Sequence, residues 1–301
     1  MSLRTSRGKK KSIWQQHQEK ITLIVVVLLL CILSAFFTLV TTPSVQGGEL
    51  SVWFFDVGQG DAIFIETPNG EQILIDGGVN DEVLSKLGAV MWPLDRTLDL
   101  VIATHADADH ITGLVEVFDR YEVEVVMTNG ESANTQVAKA FDLALEGEGA
   151  ELFEVRAGEQ VVFEEVILEF VWPNEEVLTK TDRNEQSVVV LLTYGETSIL
   201  LTGDAEQSEL EFARSVGDID VLKVGHHGSS SSTSYDFVQM VDPEHAVISC
   251  GFENRYGHPH PVVLDRLEDV GSAVYRTDIM GDIHLTSTGG EPIVEAQPLS
   301  F

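Results

Sequence analysis

The stretch "THADADHITGL" places two histidines and two aspartates, His105, Asp107, Asp109 and His110, within six positions. It follows directly on the apolar run "LDLVIA". Imidazole nitrogens and carboxylate oxygens are the ligands that divalent cations take from proteins. Asp alone in a surface loop would be ordinary, but acids alternating with histidines after a predicted strand are not. The chain has nine histidines. Four more fall in two tight groups, His226 and His227 in "LKVGHHGSS" and His258 and His260 in "NRYGHPHP". Three clusters, each at a strand end or in a Gly/Pro-rich loop, point to one metal site.

Such a site needs elements whose ends converge. "ELSVWFF", "DAIFIET" and "EQILID" read as a meander of strands with a turn at "PNG". "DEVLSKLG" reads as a short helix ending on Gly88. "LDLVIATH" is a buried strand, "DHITGLVEVFDR" a helix, "VEVVMTN" a strand and "ANTQVAKAFDLALEGEG" a helix with apolar residues at helical spacing. The second half repeats the theme. "QVVFEEVILEFVWP", "SVVVLLTYG" and "TSILLTGD" are strands, "EQSELEFARS" a helix, "DVLKVGHHG" and "HAVISCG" strands, and "PVVLDRLEDVG" a helix. Two strand-rich halves with interspersed helices predict an α/β fold, an αββα sandwich of two sheets under outer helices. "GSSSSTS" is either a flexible rim or a linker carrying the N-cap of the next helix. Cys31 and Cys250 are packing residues, with no metal-ligand spacing and no intrachain disulfide.

Residues 21–40, "ITLIVVVLLLCILSAFFTLV", carry no charge and are long enough as a helix to cross a hydrocarbon layer of about 30 Å. A cleaved signal peptide has a shorter apolar core, roughly 7–15 residues, and small residues at its cleavage site, which "TTPSVQGG" does not match. The expected order is a basic cytoplasmic N-terminus (1–20), a transmembrane anchor (21–40), a linker (41–48) and an extracytoplasmic domain (49–301). The first 20 residues hold 6 of 18 Lys and Arg but 1 of 49 Asp and Glu, which sets that orientation by the positive-inside rule. The remainder carries 12 cationic against 48 anionic side chains, a net of −36. That charge serves solubility or gathers cations, and it excludes a broad basic surface for nucleic acid.

"HADADH" resembles the HxHxDH signature of the metallo-β-lactamase superfamily, with Asp107 in place of the middle histidine. The whole of 49–301 resembles the extracytoplasmic metallo-hydrolase domain of the ComEC competence family. The matching stretches, in the family's order, are "DVGQGDAIFIE", "ILIDGG", "THADADHITGL", "NEQSVVVLL", "LLTGD", "LKVGHHGS", "NRYGHPHP" and "VYRTDIMGDI". Members of that family have many membrane spans, whereas one is predicted here, so the chain corresponds to the catalytic part on a tether and not to a pore.

The resemblance implies a ligand set. His105 and Asp107 would hold one metal, Asp109 and His110 a second, with Asp204 bridging. His226 or His227 would complete the second site. Where the superfamily often has another histidine for the first metal, "RNEQSVVV" offers Asn184 and Ser187. Carboxylate in place of imidazole hardens that site, so Mn²⁺ is expected first and Zn²⁺ second. Asp76 corresponds to a position that orients a ligand, or is a turn residue before two glycines. Gln59 and Asp61 lie near the site or shape their Gly-flanked turn. His258 would contact substrate phosphate or protonate a leaving group; alternatively, it and His260 belong to a loop stiffened by prolines.

Three functions follow from that resemblance. The first is a membrane-anchored, extracytoplasmic two-metal phosphodiesterase with Asp109 and His258 in catalysis, a nuclease on single-stranded or damaged DNA. The second keeps the metals but takes another ester: cell-wall phosphorylcholine, a lactone, a thioester or a β-lactam. The third is a non-catalytic binding module supported by metal. The expected partners are the lipid bilayer and single-stranded DNA.

Overall fold

The computed structural model describes residues 48–179 and 182–298. The basic segment, the predicted anchor and all but the last residue of the linker lie outside the described residues. Among the described residues, no helix is long and apolar enough to cross a membrane.

The described residues open with the antiparallel meander β1 (Leu50–Phe54), β2 (Ile63–Glu66) and β3 (Gln72–Ile75). Helix α1 (Glu82–Val90) then leads to β4 (Thr97–Ala103), which lies parallel to β3. Helix α2 (Ala108–Phe118), β5 (Glu122–Thr128), α3 (Gln136–Glu148) and β6 (Glu151–Glu154) extend the parallel half of this sheet.

The second sheet begins antiparallel, with β7 (Gln160–Phe163), β8 (Val166–Trp172), β9 (Val189–Tyr194) and β10 (Thr197–Leu201). It turns parallel through α4 (Glu209–Val216), β11 (Val221–Lys223), α5 (Tyr235–Val241), β12 (His245–Ile248), α6 (Pro261–Asp269) and β13 (Ala273–Arg276). After the short α7 (Thr277–Met280), the strands β14 (Ile283–Ser287) and β15 (Ile293–Ala296) return to the first sheet, where β14 pairs with β1. The orders are β15-β14-β1-β2-β3-β4-β5-β6 and β13-β12-β11-β10-β9-β8-β7.

Strand alternation divides the core into three. Ile63 and Ile65 face the second sheet and pack with Phe170, Val190 and Ile199, while Phe64 between them faces the helices with Leu87, Leu114 and Phe141. On the outer face of the second sheet, Leu200 and Leu222 pack with Phe212, Phe237 and Leu267 of α4, α5 and α6. Burial on both faces gives the second half of β4, Leu100–Ala103, its unbroken apolar sequence, as expected of parallel strands under helices.

Three local expectations change. Helix α1 continues through Gly88 to Val90, so that glycine does not end it. "QVVFEEVILEFVWP" is a hairpin and not one strand, because Glu164 adopts φ 49° and breaks it between β7 and β8. "DVLKVGHHG" contributes only three strand residues before His226 (φ 45°) and His227 (φ 55°) enter left-handed geometry. "GSSSSTS" ends as a capped linker: Ser234 accepts from the Phe237 amide and starts α5.

Candidate metal centre

The clusters meet at the carboxyl ends of parallel strands, where open α/β sheets place their ligands. Asp76 follows β3, His105 follows β4, Asp204 follows β10, His226 and His227 follow β11, and the loop bearing His258 follows β12. Asp109 and His110 occupy the first turn of α2.

Each histidine near Asp204 has its Nδ1 taken by a partner on the scaffold. His110 Nδ1 donates to Asp76 Oδ2 at 2.7 Å. The Asp76 carboxylate is itself held by the amide and hydroxyl of Thr104, at 2.8 and 2.7 Å. Since the Thr104 hydroxyl donates to Asp76, it accepts from His105 Nδ1, 3.1 Å away. His227 Nδ1 donates to the Ser249 carbonyl at 3.0 Å, and His226 Nδ1 pairs with Glu206. For His105, His110 and His227, Nε2 is left for the centre, whereas His226 Nε2 lies 3.4 Å from Asn184 Nδ2.

Asp204 collects these nitrogens. Its Oδ2 lies 3.3 Å from His110 Nε2, 3.9 Å from His105 Nε2 and 3.8 Å from His226 Nε2. Its Oδ1 lies 3.6 Å from His227 Nε2, which is also 3.4 Å from Asp109 Oδ2. The Ser187 hydroxyl fixes Asp204 by accepting its amide at 3.2 Å. His105 Nε2, His110 Nε2, His227 Nε2 and Asp204 Oδ1 are buried with no hydrogen-bond partner. Unpaired buried polar atoms of this kind are costly, and convergent donors of these types fit a cation. Groups able to hold a cation include His105, His110 and Asp204, and Asp109, His110 and His227.

The electrostatics agree. Burial opposes charge on Asp204, yet His227 and His110 hold its carboxyl well below the usual range. Asp109 is lowered in the same way, burial being outweighed by His227 and His110. Burial also opposes charge on the imidazoles. Asp204 and Asp76 nevertheless raise His110 well above its ordinary value, and Asp204 and Asp61 push His227 up to about 10. His105 moves down, through burial and the neighbouring His110. The cluster demands positive charge, which divalent cations would supply. These donors fit a binuclear metal site.

The remaining candidates divide. His227 is buried between Asp109 and Asp204, whereas His226 is half-buried beside Glu206 and Asn184. Asp107 lies 4.0 Å from His105 but is ion-paired with Arg183. Gln59, Asn184 and His258 line a cavity of about 180 Å³ over the cluster, together with Asp107, Asp109, Asp204, His226, His227 and Tyr256. Burial, with His226 and His227, lowers His258 to about 4. Asp61 faces His227 at 3.3 Å and is buried against Lys223 Nζ at 2.8 Å. His260 is the N-cap of α6, accepting from the Val262 amide at 3.3 Å. It serves the helix and does not line the cavity.

Sequence reasoning missed Lys223, Thr104, Glu206 and Arg183. A lysine inside the apolar run "VLKV" was a legible signal, since a strand buries a charge only against a partner. Glu206 and Arg183 carried no comparable signal, because acids and arginines in loops are common.

Residues 55–251 match the family model of the metallo-beta-lactamase superfamily. The chain is 34% identical over 282 residues to ComE operon protein 3 of Bacillus subtilis, a match covering 87% of this chain and 36% of that protein. It is 35% identical over 263 residues to Recombination protein 2 of Haemophilus influenzae, covering 85% and 31%. It is 29% identical over 254 residues to Competence protein ComA of Neisseria gonorrhoeae, covering 83% and 34%. The chain spans about a third of the length of these curated relatives. Among solved structures, the metallo-beta-lactamase fold protein YhfI from Bacillus subtilis superposes with a TM-score of 0.54 at 12% identity, covering 79% of this chain and all of that one. CmlA, a diiron beta-hydroxylase from Streptomyces venezuelae, gives 0.54 at 16% identity, covering 80% and 54%; both show the shared fold. With its two mixed sheets and its His/Asp cluster, the chain belongs to the metallo-beta-lactamase superfamily and is related to the competence proteins.

Proposed function

We propose that this chain is a metal-dependent phosphodiesterase that cleaves DNA, held by residues 21–40 at the outer face of the cell membrane. The observation that carries the reading is the set of unpartnered donors on His105, His110, His227 and Asp204 beneath a solvent-open cavity. The chemistry supplied by bound divalent cations is a water acidic enough to attack at neutral pH, and positive charge for the phosphoryl oxygens. The chain's own residues do the rest. Asp76, Thr104 and Ser249 fix the imidazoles, and Ser187 fixes Asp204. Asp109 lines the cavity with its Oδ2 3.4 Å from His227 Nε2. His258, neutral at pH 7, contributes a hydrogen bond to substrate phosphate in preference to delivering a proton. The carboxylates of Asp109 and Asp204 admit Mn²⁺, and the imidazoles of His105, His110 and His227 suit Zn²⁺.

A phosphodiester on a domain of net −36 needs local cations. Arg183 lines a second cavity that shares Asp107 and Asn184 with the first, and Arg255 adjoins Tyr256 at the rim. The relation to competence proteins supports DNA as the polymer. The test is cleavage of fluorescent single-stranded DNA by the full chain in detergent, with Mn²⁺, Zn²⁺ or chelator, beside Asp109→Ala. Metal-dependent cleavage that falls by at least ~100-fold in the variant is expected. A folded, metal-loaded chain that leaves DNA intact but hydrolyses a lactone, thioester or phosphorylcholine ester would move the assignment to that ester.

A further inference from the structure

The loop between β12 and α6, "GFENRYGHPH", exposes two aromatic side chains within five residues. Phe252 is 70% exposed and Tyr256 54% exposed. Tyr256 also lines the cavity over the metal cluster, with Asp109, Asp204 and His227. Isolated exposed apolar residues need no explanation, but aromatics at the rim of a polar site offer contact area to a ligand.

This loop is fixed although Phe252 and more than half of Tyr256 are exposed. Asn254 Nδ2 donates to the carbonyls of Gly251 and His258, at 2.9 and 2.6 Å. Its Oδ1 accepts from the amides of Tyr256 and His258, at 3.2 and 3.0 Å. The Gly251 amide donates to Gln59 Oε1, and a Cβ on Gly251 would lie 2.8 Å from the Gln59 nitrogen, so only glycine allows this approach. A rigid loop presenting exposed planar groups is organised before its ligand arrives, which lowers the ordering cost of binding.

Planar groups then run from solvent to the metal cluster. The Arg255 guanidinium lies 4.8 Å from the centroid of Tyr256 and donates to its hydroxyl at 2.7 Å. Tyr256 stacks on His258 at 5.7 Å and 24°, and His258 is 5.7 Å from His226. Guanidinium and aromatic planes accept any base face. The positive charge of Arg255 over the ring repels a quaternary ammonium, which would need that ring face for itself.

We propose that Phe252, Arg255 and Tyr256 form a stacking platform for an unpaired nucleobase beside the scissile phosphate, so that the site selects single-stranded over duplex nucleic acid. The proposal rests on the phosphodiesterase reading above. Bases in a duplex have both faces occupied by their neighbours and gain nothing from the platform.

The test uses the full chain carrying Tyr256→Ala, Tyr256→Trp or Phe252→Ala. Cleavage of a labelled single strand and of the same sequence as a duplex is measured with Mn²⁺, and single-strand binding is measured by anisotropy in chelator. Tyr256→Ala should raise the single-strand KM and weaken single-strand binding by roughly 5- to 150-fold, lowering the single-strand to duplex preference. Tyr256→Trp should restore the preference. If the wild-type chain cleaves DNA and Tyr256→Ala leaves the single-strand to duplex ratio unchanged, the platform is wrong and the nuclease reading stands. If no DNA is cleaved but strand binding still depends on Tyr256, the platform stands and the nuclease reading fails. Loss of neither binding nor preference in any variant overturns the proposal.

Discussion

The Asp76 carboxylate and the His110 imidazole meet at 2.7 Å through Nδ1, so that only Nε2 of His110 faces Asp204. Both side chains are buried, and Thr104 holds the carboxylate from its other side. Carboxylate, imidazole and cation in line are a recurrent arrangement, in which the acid fixes the ring and raises its basicity.

Asp76→Ala should therefore weaken metal binding by roughly 10- to 100-fold while leaving the two sheets intact. Calorimetric titration of the metal-free chain with Mn²⁺, together with circular dichroism, checks it. Unchanged affinity would remove Asp76 from the centre.

Lys223 and Asp61 form an ion pair with both side chains buried, at 2.8 Å. Lys223→Met removes the nearest cation from the buried Asp61 and leaves His227, 3.3 Å away, to offset its charge, so it should cost about 3 kcal/mol in urea unfolding. The double change with Asp61→Asn should recover part of that loss, since no buried charge is then left alone. A double variant no more stable than the single one would contradict this account.

Gly113 lies on α2 against the turn after β3. A Cβ there would lie 1.9 Å from the Gly77 carbonyl oxygen and 2.7 Å from that of Asn80. Both neighbours are backbone and cannot swing away. Gly113→Ala should cost about 3 kcal/mol. By pushing α2 outward, it should also reduce metal content at equal folded protein, read by elemental analysis.

Glu209 gives a pH signature away from the metal cluster. Its carboxylate accepts from the amides of Thr233 and Ser234 ahead of α5, yet burial pushes its carboxyl up to about 7. The folded chain thus keeps this proton to higher pH than the unfolded chain. The stability it contributes is complete below about pH 4.5 and is lost as pH rises through 7, by at most about 3 kcal/mol. Relative to Glu209→Gln, the wild type should lose stability between pH 5 and pH 8 in urea unfolding. A constant difference across that window would refute the shift.

Much of the centre was legible because its ligands are dense and local. "HADADH" points to metal chemistry through residue type and spacing, whereas Asp204 in "LLTGD" is implied only by the family resemblance, and the apolar end of β4, Leu100–Ala103, shows where His105 must lie. His226 and His227 could not be told apart from sequence, since adjacency fixes neither ring. The left-handed geometry of both residues, bounded by Gly225 and Gly228, buries His227 between two carboxylates and leaves His226 half-buried. His260 misled because a histidine in a Gly/Pro-rich loop looks like a ligand, while its backbone position makes it a cap for α6. The return of β14 and β15 to the first sheet was illegible too. Pairing between β1 and β14 joins segments more than 200 residues apart, and no local periodicity records a partner.

The most direct test follows metal content and DNA cleavage in one titration. The metal-free full chain is loaded stepwise with Mn²⁺, and at each step bound metal per chain and single-turnover cleavage of a labelled single strand are measured, with Asp204→Asn in parallel. The account predicts cleavage that rises with occupancy to two metals per chain, and a variant that loses both together. A wild-type chain fully loaded with metal and inert towards DNA would contradict it.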